Sequence, residues 1–134
     1  MKRLFGLLAV VGTLMATPVF AHHSFSAEYD IQAPVTITGT VTRLDWVNPH
    51  GWIYIDVKDD SGKVTNWAIE FGSPSQLLRR GVRKTDFPIG IAIVVKGYKS
   101  RNGAPRINGT SVKTPEGKNF FTGSPDGPEG GGEQ

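Results

Sequence analysis

The chain has 134 residues, 38% hydrophobic and 20% charged, with 17 Gly, 9 Pro and no Cys. That length suits one domain, and the composition argues against wholesale disorder. The lack of cysteine excludes a disulfide framework, a thiolate metal site and a cysteine nucleophile.

Residues 1–21 begin with Lys2 and Arg3, continue through an apolar stretch from Leu4 to Met15, and are broken by Pro18. Val19-Phe20-Ala21 then offers a cleavage site, so the segment reads as a secretory signal peptide. The competing reading is an uncleaved anchor. The short apolar run and the cleavage motif disfavour it, and no later stretch approaches the ~18 apolar residues of a membrane span. The signal holds two of the fifteen basic residues and none of the twelve acidic ones, so its removal lowers the formal charge from +3 to +1. So weak a charge argues against nucleic acid as a partner. Cleavage after Ala21 leaves 113 residues starting His22-His23-Ser24-Phe25. The expected location is periplasmic or secreted, with no stable membrane anchor.

Residues 22–34 form a polar lead-in anchored by Phe25, Tyr29 and Ile31, and Pro34 closes it. Residues 35–122 form the folded domain. In its first strand, from Val35, the apolar positions Val35, Ile37 and Val41 alternate with threonines, and after Arg43 the phase flips to Leu44 and Trp46. The slip predicts a β-bulge, and Gly39 a bend. Asn48-Pro49-His50-Gly51 is a turn, and strands follow over 52–57 and 64–71 around an Asp59-Asp60-Ser61-Gly62 hairpin loop. Ser73 suits a helix N-cap, Pro74 the first turn, Gln76 the reciprocal capping position and Gly81 the position past the end. A helix of about two turns is expected. The run 90–97 is apolar on both faces and reads as a strand buried on both sides, and a fifth strand spans 106–112 after an Arg101-Asn102-Gly103 turn. Asn119 to Thr122 offers a short edge strand, and the tail 123–134 is Gly/Pro-rich and expected to be disordered.

The order β-β-β-α-β-β is all-β with one short helix. It matches an OB-like five-stranded Greek-key barrel. The rival is a small open β-sandwich of the same strands. Trp46, Trp67, Phe71 and the fourth strand are the expected core.

Four stretches carry a resemblance: HHSFSAEYD at 22–30, VTITGTVTRLDWVNPHGWIYIDV at 35–57, NWAIEFGSPSQLLRRG at 66–81 and VVKGYKSRNG at 94–103. Together they resemble a family of short exported bacterial proteins of unknown function, marked by an HHSF-x-AEYD start and a W-x-NPH turn. The resemblance implies an exported small β-barrel and brings no reaction, substrate or partner with it.

The chain's three histidines are His22, His23 and His50. An N-terminal histidine chelates a metal through its α-amine and imidazole, and a second imidazole completes a nitrogen set suited to Cu(II). His22 would be the chelate, with His50 or His23 adding the further imidazole. Cleavage one residue earlier would instead leave a histidine in third position, another copper chelate. Glu28, Asp30 or Asp45 could add an oxygen. Against this stands a plain reading: a solvated histidine end, and a His50 ring that caps a backbone carbonyl.

Trp46, Asn48, Trp52 and Tyr54 gather around the first hairpin. Trp52, Tyr54 and Asp56 share one strand face, and Ile53, Ile55 and Val57 the core face. Stacking aromatics there suit a sugar, a peptide or a protein partner. The alternative is that Phe25 and Tyr29 cover them. Glu70 and Asp56 read as surface charge, and Lys96, Lys99, Arg101 and Arg106 as a solvated rim. Binding is favoured over catalysis. The expectation is a periplasmic binding protein for copper through His22, His23 and His50. The alternative is a metal-independent interaction module using Trp52 and Tyr54, and a third, an oxidative copper enzyme, rests on the same residues.

Overall fold

The computed structural model describes residues 25–124 and 127–128. The segment read as a signal peptide, together with His22 and His23, lies outside the described residues. Among those described, no helix is long and apolar enough to cross a membrane.

A single turn of helix, α1 (Phe25–Glu28), leads into a long strand β1 (Tyr29–Asp45). There follow β2 (Trp52–Lys58), β3 (Val64–Glu70), helix α2 (Pro74–Arg79), a 3₁₀ turn at Lys84–Asp86, β4 (Ala92–Ser100), β5 (Arg106–Lys113) and β6 (Asn119–Phe121). The strands form one mostly antiparallel sheet in the order β3-β2-β1-β4-β5-β6. β3 also pairs in parallel with β5, through Ala68–Arg106, Ile69–Ile107 and Glu70–Asn108. The pairings therefore run in a circuit, β1 to β2 to β3 to β5 to β4 and back to β1.

Strand β1 serves both sides of that circuit. Residues 34–40 pair with β4, and 40–45 pair with β2. The register slips between Val41 and Arg43, the expected bulge, and turns the strand from one partner to the next. Gly39 sits at the crossing. A Cβ there would stand 2.6 Å from the Asp56 carbonyl oxygen, so the neighbouring strand approaches closer than any other side chain permits. β1 begins at Tyr29, inside the segment read as a lead-in, and passes through Pro34. A second register shift, between Tyr29 and Pro34, accommodates the proline.

The core takes the inward residues of each strand. Ile53 and Ile55 of β2, Ile69 of β3, Ile93 and Val95 of β4, and Ile107 and Val112 of β5 are all buried. α2 closes one end with Leu77, and its Ser73–Gln76 capping box forms as expected. Reciprocal hydrogen bonds there satisfy backbone groups a helix start leaves unpaired.

Three expectations need correction. β4 is buried on one face only: Ile93, Val95 and Gly97 point inward, while Ala92 and Lys96 are exposed and Val94 is half-buried. Its apolar run matched two-sided burial, but the core lies on one side of the sheet. The aromatics at the centre of the core cluster are Phe71 and Phe87, whose rings lie 6.1 Å apart. Trp46 and Trp67 are only partly buried, packed against the margin, because the interior is already filled by aliphatic residues from four strands. Finally, the tail does not leave the fold at Gly123. Gly123 and Ser124 are buried, and Arg80 donates to the Gly123 carbonyl at 2.8 Å.

Candidate functional site

His50 lies in the turn between β1 and β2, just before Trp52. The β2–β3 ladder continues past the strand ends to hold it: the Phe71 N–H donates to the Gly51 carbonyl at 2.7 Å, and the Gly51 N–H to the Gly72 carbonyl at 3.1 Å. This clamp sets the His50 ring beside the end of β3. Its Nδ1 is 3.2 Å from Oε1 of Glu70 and 3.3 Å from the carbonyl oxygen of Phe71. A carbonyl oxygen only accepts, so Nδ1 carries the proton and donates. In the neutral ring, Nε2 then keeps its lone pair. The plain reading of His50 as a cap on a backbone carbonyl is thus part of the geometry, and the carboxylate is the addition.

Glu70 is the hinge of the site. It is only 8% exposed, which overturns its reading as surface charge. It occupies an outward position opposite Trp52, where solvent would be expected. Tyr29 covers it instead and donates its hydroxyl to Oε2. One carboxylate therefore joins the start of β1 to the β1–β2 turn. Burial pushes the Glu70 carboxyl above the usual carboxylate range, while the Tyr29 hydrogen bond and the charge of His50 pull it the other way. Burial, reinforced by the carboxylate, raises the Tyr29 hydroxyl as well.

The segment before Tyr29 is pinned along the outer wall. The Phe25 ring lies 5.5 Å from the Tyr29 ring and meets the Tyr98 ring edge-on at 5.8 Å. Arg101 donates through Nε to the Ser26 carbonyl at 2.7 Å and through its backbone N–H to the Glu28 carbonyl at 2.9 Å. Its guanidinium also lies 3.7 Å from Asp30. Arg101 is thus a clasp for the N-terminal segment rather than a solvated rim.

The aromatic face of β2 points outward, with Ile53 and Ile55 inside as expected. Trp52 and Tyr54 are both half-buried, and each has a guanidinium over its ring: Arg43 at 3.7 Å over Tyr54, and Arg106 at 5.4 Å over Trp52. Asn66 ties the next position together, donating to Asp56 at 2.7 Å and Thr42 at 3.1 Å. Asn48 is exposed in the turn, whereas Trp46 packs on the core margin away from a free stacking role.

Among the described residues, no group of three or more His, Asp or Glu side chains is arranged to hold a metal ion. His50 is brought to a carboxylate, and its two possible imidazole partners, His22 and His23, are outside the described region. Sequence reasoning missed Glu70, Tyr29 as its donor, and Arg106 as a cover for Trp52. The available signal was a lone acid between Ile69 and Phe71 at the end of a strand, opposite a tryptophan.

A family profile described as a family of unknown function (DUF6152) matches residues 10–110. The chain belongs to that family. The matched span includes the lead-in, the Asn-Pro-His turn, β3 and most of β5, so every residue around Glu70 lies within the family's extent. No curated protein matches the chain.

Proposed function

We propose that this DUF6152 protein is exported to the periplasm and binds Cu(II) beside His50. On this reading the signal peptide is removed after Ala21, and the α-amine and imidazole of His22 chelate the ion. His50 supplies a further nitrogen, with His23 as the other imidazole at hand. The observation that carries the reading is the double restraint on His50 Nδ1. A ring whose Nδ1–H is held by a carboxylate and a carbonyl offers Nε2 in a set direction, the arrangement that orients histidine ligands in metal sites. The Tyr29–Glu70 contact adds support, because it fastens the chain only a few residues past His22 and His23 to the carboxylate that holds His50. We also read the circuit of strand pairings as an OB-like Greek-key barrel, on the strength of the β1-β2-β3-β5-β4 order and the helix between β3 and β4.

The test uses protein exported and processed in cells. Mass spectrometry of the mature chain should give His22 as the first residue. Titration with Cu(II), followed by electron paramagnetic resonance, should show nitrogen ligation that weakens in His50→Ala. A blocked or shifted N-terminus, or binding weaker than micromolar that His50→Ala leaves unchanged, overturns the reading.

A second reading has its own support in the half-buried Trp52 and Tyr54 on the outer face. It is a metal-independent module that holds a sugar or peptide against that face, where the Arg43 and Arg106 guanidiniums lying over the Tyr54 and Trp52 rings supply hydrogen-bond donors. Tryptophan fluorescence changes on adding oligosaccharides or peptides, insensitive to chelators and lost in Trp52→Ala, would favour it over copper.

A further inference from the structure

Register partners on neighbouring strands project from the same face of a sheet, so the pairings fix what the outer wall of β1, β4, β5 and β6 displays. One row across that wall reads Thr36, Lys96, Ser111 and Phe121. The next reads Thr38, Val94, Lys113 and Asn119, and on the other side Pro34 pairs with Tyr98. Hydroxyls, two lysines and two aromatic rings stand together, and none of the chain's twelve acids falls in these rows. Among the described residues, the ion pairs take Arg43, His50, Arg101 and Lys118, which leaves both of these ammonium groups without a counter-charge. Arg80 adds a third cation at the edge, 4.6 Å over the Phe121 ring. A groove of about 370 Å³ opens in this wall, with Pro34, Thr36, Lys96, Tyr98 and Thr110 among its lining. A bulge shapes it. Lys96 pairs with Ser111 and Gly97 with Gly109, so Thr110 is an extra residue with no partner on β4. Gly97 permits the close approach, because a Cβ there would stand 2.0 Å from the Asn108 carbonyl oxygen. Thr110 is 7% exposed and donates to the Lys96 carbonyl at 3.3 Å, so its oxygen keeps lone pairs for a ligand. Tyr98 is half-buried, and the edge-on contact with Phe25 steadies its ring.

We propose that this groove binds an oligosaccharide that carries carboxylates, a polyuronate segment. The C–H face of a sugar ring packs on Tyr98 and Pro34, and its hydroxyls exchange hydrogen bonds with Thr36 and Thr110. Its carboxylates meet Lys96 in the groove and Lys113 farther along the sheet. A neutral sugar would leave the lysines unused, and a small inorganic anion would leave the ring and the hydroxyls unused. An acid-free wall attracts such a ligand even though the chain as a whole is close to neutral. The groove shares no residue with the His50 turn or with the Trp52–Tyr54 face, so it stands independently of both readings above.

The experiment is calorimetric titration of the processed protein with oligogalacturonate and, separately, with its methyl ester, which keeps the sugar and removes the charge. The free acid should bind, and the ester should bind about tenfold more weakly. Lys96→Gln should weaken binding of the free acid by a similar factor, about tenfold, and added salt should weaken it further. Lys96 is exposed, so this variant should fold as the wild type does. Lys58→Gln, an equal loss of charge on the exposed end of β2, should leave the affinity unchanged. No binding of the free acid at about 1 mM, equal binding of acid and ester, or equal effects of Lys96→Gln and Lys58→Gln each overturn the proposal. Binding abolished by Trp52→Ala and untouched by Lys96→Gln overturns it too, and moves the sugar to the β2 face.

Discussion

The Tyr29 hydroxyl donates to Oε2 of Glu70 across 41 residues of sequence, and both groups are buried. The same carboxylate takes the Nδ1–H of His50 through its other oxygen. A single acid thereby ties together the N-terminal segment, the end of β3 and the Asn-Pro-His turn. Removing any one of the three leaves a polar group buried with fewer partners than it needs.

Tyr29→Phe keeps the ring and deletes only the hydroxyl. The Glu70 oxygen then stays buried without its donor, and the expected cost is about 1–3 kcal/mol. Urea unfolding of the two proteins measures it, with a lowered midpoint and an unchanged slope as the expected outcome. Equal midpoints would mean that water replaces the hydroxyl freely.

The pH dependence of stability follows from the direction in which burial moves Glu70. The folded state holds the carboxyl proton to higher pH than the unfolded chain, whose carboxyl titrates near the ordinary value of 4.5. The folded protein therefore binds more protons over that interval, and stability falls as pH rises. The Glu70 contribution is complete below about 4.5 and is lost as pH climbs through the raised folded value. In Glu70→Gln that slope should disappear. Denaturation midpoints followed from below pH 4.5 upward compare the two proteins. A parallel pair of curves would contradict the assignment.

Gly39 is a second sensitive point, because the atom its side chain would strike is backbone. An added methyl would meet the Asp56 carbonyl at 2.6 Å, with Ile55 and Val57 each at 3.0 Å. Gly39→Ala should cost about 3 kcal/mol by overpacking at the β1–β2 crossing. Gly81→Ala meets nothing within 4 Å and suffers only its φ of 79°. That strain should cost about 1 kcal/mol. Thermal unfolding of the two variants should rank them in that order.

The core correction is equally open to measurement. Phe87 is 1% exposed and packs between Phe71 and Phe120, tilted against the first ring and edge-on to the second. Phe87→Ala should destabilise by about 3–5 kcal/mol. Trp67→Ala, at the margin of the core, should cost clearly less, despite the larger ring. The reverse order in calorimetry would restore tryptophan to the centre.

The sequence by itself determined the parts of this protein that depend on near neighbours. The Ser73–Gln76 cap and the Gly62 and Gly103 turns are set by groups a few residues apart. So are the inward Ile53 and Ile55 and the slip after Val41, which follow from side-chain alternation along one strand. The tertiary structure alone decided what surrounds the outward face. Glu70 looked like surface charge because strand alternation points it away from the core, and only the return of Tyr29 across the sheet buries it. Phe87 lay in a stretch with no periodic pattern, so its place at the centre depended on the packing of its neighbours. His50 stood out as a candidate, yet its proton is assigned by a carboxylate and a carbonyl at the end of β3. Alternation reports which way a side chain points, and contact between residues far apart in the chain depends on the pairing of β3 with β5 and on the path of the N-terminal segment over their outer face.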